Sequence, residues 1–134
     1  MTSITKEFAF DAAHKLSRPE LSAEANQQIF GKCCNVHGHT YRLRITVAGP
    51  IDASGMIIHF SRLKELVHEL VLDRYDHTML NELAEYQHVP PTAEVMAGHI
   101  FTLLDQRLMA QQLTLCSVVL NETPTSWATV TRDA

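Results

Sequence analysis

The sequence predicts an α+β protein in which two strands, two helices and two further strands follow one another along the chain. Three observations carry that reading. Apolar and polar residues alternate from His37 to Val47, the period-two pattern of a half-buried strand. Leu63, Leu66, Val67 and Leu70 recur at i, i+3, i+4 and i+7, the stripe of an amphipathic helix. Two β-rich runs, "LTLCSVVLNE" and "SWATVTR", come last, and the Thr123, Pro124, Thr125 break between them marks a hairpin.

In chain order, the first strand runs from Ile4 to His14, where Phe8, Phe10, Ala12 and His14 share one face. The following excursion, "KLSRPELSAEANQQIFGK", holds Pro19 and Gly31 and at most a short helix near Ser22 to Ile29. On the strand from His37 to Val47 the residues His37, His39, Tyr41, Leu43 and Ile45 point one way, and Thr40, Arg42 and Arg44 the other. "GPIDASG" is rich in turn residues, and "MIIHF" then resumes an extended run, which predicts a hairpin with a long loop. Ser61 is placed to cap a helix from Arg62 to about Arg74. A second helix opens at "PPTAEV" with Thr92 as cap and Glu94 in its first turn, and its apolar stripe continues to about Gln111.

The chain of 134 residues fits a single domain spanning 1–134, enough to bury roughly two thirds of its unfolded surface. A net charge of −4 supplies no global basic field, so neither nucleic acid nor a membrane surface is expected as a partner. Lys6 and Glu7 interrupt the only apolar run of the amino terminus, and no membrane span is present. Three cysteines, two of them adjacent, imply no disulfide framework. A reducing, cytoplasmic location is expected.

The chemistry concentrates in "CCNVHGHTY", Cys33 to Tyr41. Histidines at i and i+2 on a strand present both imidazoles on one face, able to hold one metal ion at about 2.0–2.1 Å per bond. His14, at the end of a neighbouring strand, is the candidate third ligand. Three neutral imidazoles with an open position form the arrangement of catalytic zinc; hydrogen-bonded strand histidines explain the same residues without a metal. Gly38 between them suggests close approach to the backbone. Cys33 is a candidate metal ligand, base or nucleophile, and alternatively a small buried hydrophobe. Asp76 and His77 pair a carboxylate with an imidazole beside a helix end, for chemistry or for capping. Glu122 continues the face of Cys116, Val118 and Leu120, where a carboxylate needs a partner such as an amidine-like ligand; a surface strand end is the other reading.

Taken in order, "FDAAHKL", "FGKCCNVHGHTY", "YDHTMLN", "PTAEV" and "LNET" resemble the 6-pyruvoyl-tetrahydropterin and 6-carboxy-tetrahydropterin synthase family across nearly the whole chain. The resemblance implies a tunnelling fold, with a four-stranded antiparallel sheet carrying two helices on one face in the order ββααββ. It implies a homohexamer built as a dimer of trimers, with active sites between subunits.

For the matching positions the resemblance implies Zn2+ on His14, His37 and His39, facing the side-chain hydroxyls of 7,8-dihydroneopterin triphosphate. Cys33 is implied as general base, Asp76 with His77 as the opposing relay, and Glu122 as the anchor of the pterin ring. Thr92 and Glu94 match a segment near the pterin pocket, although capping and dipole roles account for both. The spacing from Cys33 to His37 resembles the queuosine-pathway synthases, which form 6-carboxy-5,6,7,8-tetrahydropterin with release of triphosphate and acetaldehyde. The "LSAEANQQIFGKC" excursion resembles the pyruvoyl-forming enzymes, and Cys33 argues against relatives that carry glutamate there. The chain departs from the pattern at His59, where Asp or Asn is usual, and at Cys34, where Asn is common. A protein of another class, binding zinc and a pterin or purine without lyase activity, would need Glu122 but not Cys33, Asp76 and His77 as well. A redox role for Cys33 and Cys34 lacks the spacing of a CxxC motif.

Overall fold

Two long strands form the spine of the molecule: β1 (Ser3–His14) and β2 (His37–Ala48) pair antiparallel over their full lengths, from Ser3 against Ala48 to His14 against His37. The computed structural model, which describes residues 1–133, adds β4 (Thr114–Thr123) beside β2 and β5 (Ser126–Thr131) beside β4, both antiparallel. A two-residue strand, β3 (Thr78–Met79), runs parallel to β1 at Ala12 and Ala13. The sheet is therefore five-stranded and mixed, in the order β3-β1-β2-β4-β5. This corrects the expected four-stranded antiparallel sheet and the ββααββ order; the α+β class stands.

The helices form where periodicity and caps agree. α1 (Ala23–Phe30) is capped by Ser22, whose Oγ accepts from Ala25 N at 3.1 Å, and a 3-10 turn over Gly31–Cys34 leads into β2. α2 (Phe60–Val67) passes through a π-helical turn (His68–Leu72) into α3 (Asp73–Tyr75). α4 (Ala93–Met109) starts at Thr92, whose side chain accepts from Val95 N at 3.2 Å. Leu63, Leu66, Met96, Ile100 and Leu104 are fully buried in one core with Phe10, Leu43, Ile45 and Val118. Each such side chain contributes about 1.5–3 kcal/mol relative to exposure, so one sheet face is held under the helices. The other face is polar: Thr5 and Thr46 hydroxyls lie 2.7 Å apart, and Arg42 pairs with Glu7 at 3.5 Å. No described helix is long and apolar enough to cross a membrane.

Three local expectations fail for physical reasons. "MIIHF" forms no strand, because both edges of β2 are already taken by β1 and β4. Asp52 closes the chain there into a turn, its Oδ1 accepting from Ser54 N at 2.8 Å and Met56 N at 3.2 Å. The cap of α2 is His59 rather than Ser61: its Nδ1 accepts from Ser61 N at 3.1 Å, and the Ser61 hydroxyl lies 2.7 Å away. On β4, Cys116 is an extra residue between the Thr46–Ser117 and Val47–Leu115 pairs. Leu115 and Val118 thus both face the core, and Cys116 is out of phase with the face it was expected to share.

Candidate metal centre and the groups around it

The register that ends β1 and β2 builds the site. His14 lies opposite His37, and His39 follows two residues along on the same face of β2, so pleating aims three imidazoles at one point. One ligand atom from each lies within 4.8 Å of the others. His14 Nδ1 stands 2.8 Å from Pro91 O, and His37 Nδ1 stands 2.7 Å from Asn35 O. A carbonyl only accepts, so both Nδ1 atoms carry the proton. Both Nε2 atoms are then left with lone pairs, and they face each other at 3.1 Å.

Two lone pairs cannot bond to one another. Two nitrogens on one tetrahedral ion at the usual bond length stand about 3.3 Å apart, so a cation resolves the contact. His39 Nε2 is buried without a hydrogen-bond partner, which is costly unless a ligand satisfies it. Burial, above all, holds His14 and His39 below the ordinary imidazole pKa, which keeps them neutral and able to bind metal. A donor set of three imidazoles suits zinc. The backbone carbonyls of Pro91 and Asn35 are the outer partners that orient two ligands. Neither was legible, since a carbonyl acceptor leaves no mark on residue type.

Glu122 joins this group. Asn121 pairs with Trp127 and Thr123 with Ser126, so Glu122 is an unpaired bulge residue, a device that re-aims a side chain. Its Oε1 lies 3.6 Å from His39 Nε2, beyond hydrogen-bond length and close enough for charge to act. Beneath the cluster Tyr41 is fully buried and stacks on Phe10 with ring centroids 4.9 Å apart. Burial pushes its phenol pKa up, so it stays neutral.

Asp76 and His77 lie elsewhere. Asp76 Oδ1 accepts from Asp11 N at 2.9 Å and stands 2.9 Å from His77 Nδ1, while Thr40 Oγ1 donates to Asp11 Oδ1 at 2.5 Å. Asp11 and Thr40 alternate with Phe10 and Tyr41, so this cluster occupies the sheet face opposite the three histidines. His77 has φ +60 and donates its N–H to Asp11 O at 2.6 Å; this left-handed turn re-aims the ring. Its side chain is 78% exposed. The Asp11 N–H, and after it His77, hold the Asp76 carboxyl below its usual pKa. A groove of about 550 Å3 opens on this face, lined by Asp11, Gly38, Thr40, His77 and Met79 among others. A Cβ on Gly38 would meet nothing closer than Ala12 O at 3.5 Å, so the missing side chain leaves this groove open rather than admitting a tight backbone contact. Asp11 and Thr40 escaped the sequence reading; their register pairing across β1 and β2 was the available signal.

The remaining expected residues are placed as follows. Cys33 sits half-buried in the 3-10 turn before β2, its carbonyl accepting from Leu16 N at 2.7 Å. The thiol is not among the converging ligand atoms. Cys34 Sγ donates to Gln27 Oε1 at 3.0 Å, tying this turn to α1. Thr92 spends its hydroxyl on the cap of α4 and Glu94 is exposed in the first turn; the pair serves the helix end that presents Pro91 O to His14.

Three histidines, His14 buried and His37 and His39 half-buried, form a cluster able to hold a metal ion beside Glu122, on an α+β sheet covered by helices on one face. Residues 3–133 match the family model described as "6-pyruvoyl tetrahydropterin synthase". The chain is 38% identical over 125 residues to the 6-pyruvoyl tetrahydrobiopterin synthase of Drosophila melanogaster, covering 90% of this chain and 74% of that one. It is 36% identical over 149 aligned positions to the 6-carboxy-5,6,7,8-tetrahydropterin synthase of Haemophilus influenzae, covering 95% and 96% of the two chains. The solved structure of Caenorhabditis elegans 6-pyruvoyl tetrahydropterin synthase superposes with a TM-score of 0.89 at 30% identity, over 98% of this chain and 96% of that one. The chain belongs to the 6-pyruvoyl tetrahydropterin synthase family, as its motifs implied.

Proposed function

We propose that this chain, acting as one domain, is a zinc-dependent pterin synthase. On this reading it is a lyase that takes 7,8-dihydroneopterin triphosphate to 6-carboxy-5,6,7,8-tetrahydropterin, with release of triphosphate and acetaldehyde. The observation that carries the reading is the pair of Nε2 lone pairs 3.1 Å apart, with Glu122 beside the third histidine. The relative named as a 6-carboxy synthase aligns over nearly all of both chains, which favours the carboxy product. The high structural similarity to a 6-pyruvoyl enzyme keeps the pyruvoyl product as the second reading.

His14, His37 and His39 hold the zinc, which when bound supplies Lewis acidity to the hydroxyls of the substrate side chain. Glu122 accepts from the amino and N3–H groups of the pterin and fixes the ring, a charge-assisted bidentate pairing. Cys33 removes the proton from the side-chain carbon next to the ring. His77 handles the opposing proton: with Nδ1 turned to Asp76, its Nε2 is free to give or take one. Asp76 and Cys33 hold and move protons at the substrate side chain.

Asp76 and His77 are held by the Asp11 backbone and flank the groove on the far side of the sheet from the three imidazoles, which supports a site completed between subunits. The proposed homohexamer, a dimer of trimers, brings the outer face of one subunit to the metal of another. That supports the enzyme reading over a zinc- and pterin-binding protein without activity. The test is to incubate the zinc-loaded protein with dihydroneopterin triphosphate, follow triphosphate release, and weigh the pterin product. A carboxy product is expected; a pyruvoyl product establishes the second reading, and no release refutes the enzyme.

A further inference from the structure

β1 loses both of its neighbours at nearly the same place. Its pairing with β2 ends at His14 and His37, and its pairing with β3 ends at Ala13 and Met79. Lys15 therefore leaves the sheet with no strand to take its N–H and C=O, and such groups need partners. The Asn81 side chain takes both: Oδ1 accepts from Lys15 N at 2.9 Å, and Nδ2 donates to Lys15 O at 2.9 Å. A carboxamide bonded in this way acts as one more peptide of β3. Among short side chains, only asparagine offers donor and acceptor on one planar group.

The clamp is itself braced and connected. Gln87 Nε2 donates to Asn81 O at 3.0 Å and to Leu83 O at 3.3 Å. One residue beyond Lys15, Leu16 N donates to Cys33 O at 2.7 Å. Three successive residues thus carry the metal-capable His14, the clamp point Lys15 and the anchor of the turn bearing Cys33.

We propose that Asn81 is a positioning residue that sets the Cys33 thiol relative to His14 by clamping Lys15. It acts through the backbone, because its side-chain bonds go to Lys15 alone. The inference rests on the role proposed above for Cys33, and its test is read without that role.

The test alkylates the zinc-loaded full-length protein with iodoacetamide and maps Cys33, Cys34 and Cys116 by peptide mass. In Asn81→Ala the rate at Cys33, relative to Cys116, is expected to change by about fivefold or more as the turn loses its register. kcat is expected to fall about 10- to 100-fold with KM within about twofold and zinc content retained, the pattern of misplacement at a distance. A purely structural asparagine lowers Tm and leaves the Cys33 ratio and the kcat-to-KM split alone. A folded variant whose Cys33 alkylation matches the parent overturns the proposal. Should Asn81→Ala not fold, Gln87→Ala decides by the same ratio, a smaller change supporting the clamp and no change overturning it. Cys33→Ala with full activity would defeat the catalytic role of the thiol and leave the alkylation result standing, so the two failures are distinct.

Discussion

The two clusters at the ends of β1 and β2 use similar residues to opposite effect. On the helix-covered face His14 is fully buried, two of the three imidazoles have fixed tautomers, and their free lone pairs converge. On the open face Asp76 and His77 are exposed, their bond to one another is complete, and the free side of His77 points to solvent. In the first cluster His39 Nε2 has no hydrogen-bond partner and the Nε2 atoms of His14 and His37 face each other; in the second, Asp76 and His77 satisfy one another. Burial raises the cost of an unpaired group, so the metal face is organised to bind. The outer pair is presented to solvent, the His77 side chain 78% and the Asp76 side chain 41% exposed, and on the proposed function its target comes from another subunit.

The largest expected effect would break the comparison if it failed. His37→Ala removes one of the two imidazoles whose tautomer is fixed. Zinc content should fall from about one per chain to near zero and activity to background, since a three-ligand site cannot lose a ligand and keep its ion. His77→Ala should also abolish most activity but keep the zinc. Mixing the two variants under subunit exchange should then restore activity, because each supplies the face the other has lost. No recovery in a verified mixed oligomer would place both clusters in the service of the same chain.

Next in size is Asp76→Asn. The carboxylate that fixes His77 Nδ1 becomes an amide that can present its NH2 instead, so the ring loses its preferred tautomer. kcat should drop about 100-fold or more, within the range of general acid–base catalysis, with zinc content unchanged. Glu122→Gln should act differently. It removes charge from the pterin contact and should raise KM about 10- to 100-fold, as expected for losing a charge-assisted pair. A Glu122 effect confined to zinc affinity would instead make the bulge residue part of the metal site.

The two faces also differ in how far the sequence disclosed them. Alternation along β1 and β2 put His14, His37 and His39 on one face, and antiparallel pairing did the rest, so the metal cluster was legible. Alternation through Cys116 puts Glu122 on the histidine side, but β4 slips phase at Cys116, so only the two-residue step from Leu120 carries that placement. The outer cluster was not legible as a cluster, because it depends on a positive φ at His77 and on β3, whose two residues have no periodicity to detect. "MIIHF" shows the converse: its pattern is that of a strand, yet a strand also needs a free edge, and edges are a property of the whole sheet. His59 was missed as a cap because an imidazole acceptor is not among the usual capping residues.

The smallest expected effect concerns acid. The Asp11 N–H and His77 lower the Asp76 pKa in the folded chain below its usual 3.8. The unfolded chain therefore binds more protons here as pH falls past 3.8, and stability rises with pH across that window. The contribution is fully present above the unfolded pKa and is lost as pH falls through the folded one. Solvent screening keeps it small at so exposed a site. Glu85 is the internal standard: its bond and ion pair with Arg74 hold it at about 2, so its contribution, about 1–2 kcal/mol after screening, persists to lower pH. Carboxyl NMR titration should give Asp76 a midpoint below 3.8 and Glu85 one lower still relative to its own reference of 4.5. Asp11→Ala keeps the backbone N–H and should leave the Asp76 midpoint nearly in place, whereas a return to 3.8 would mean that side chains, not the strand edge, hold the presented carboxylate.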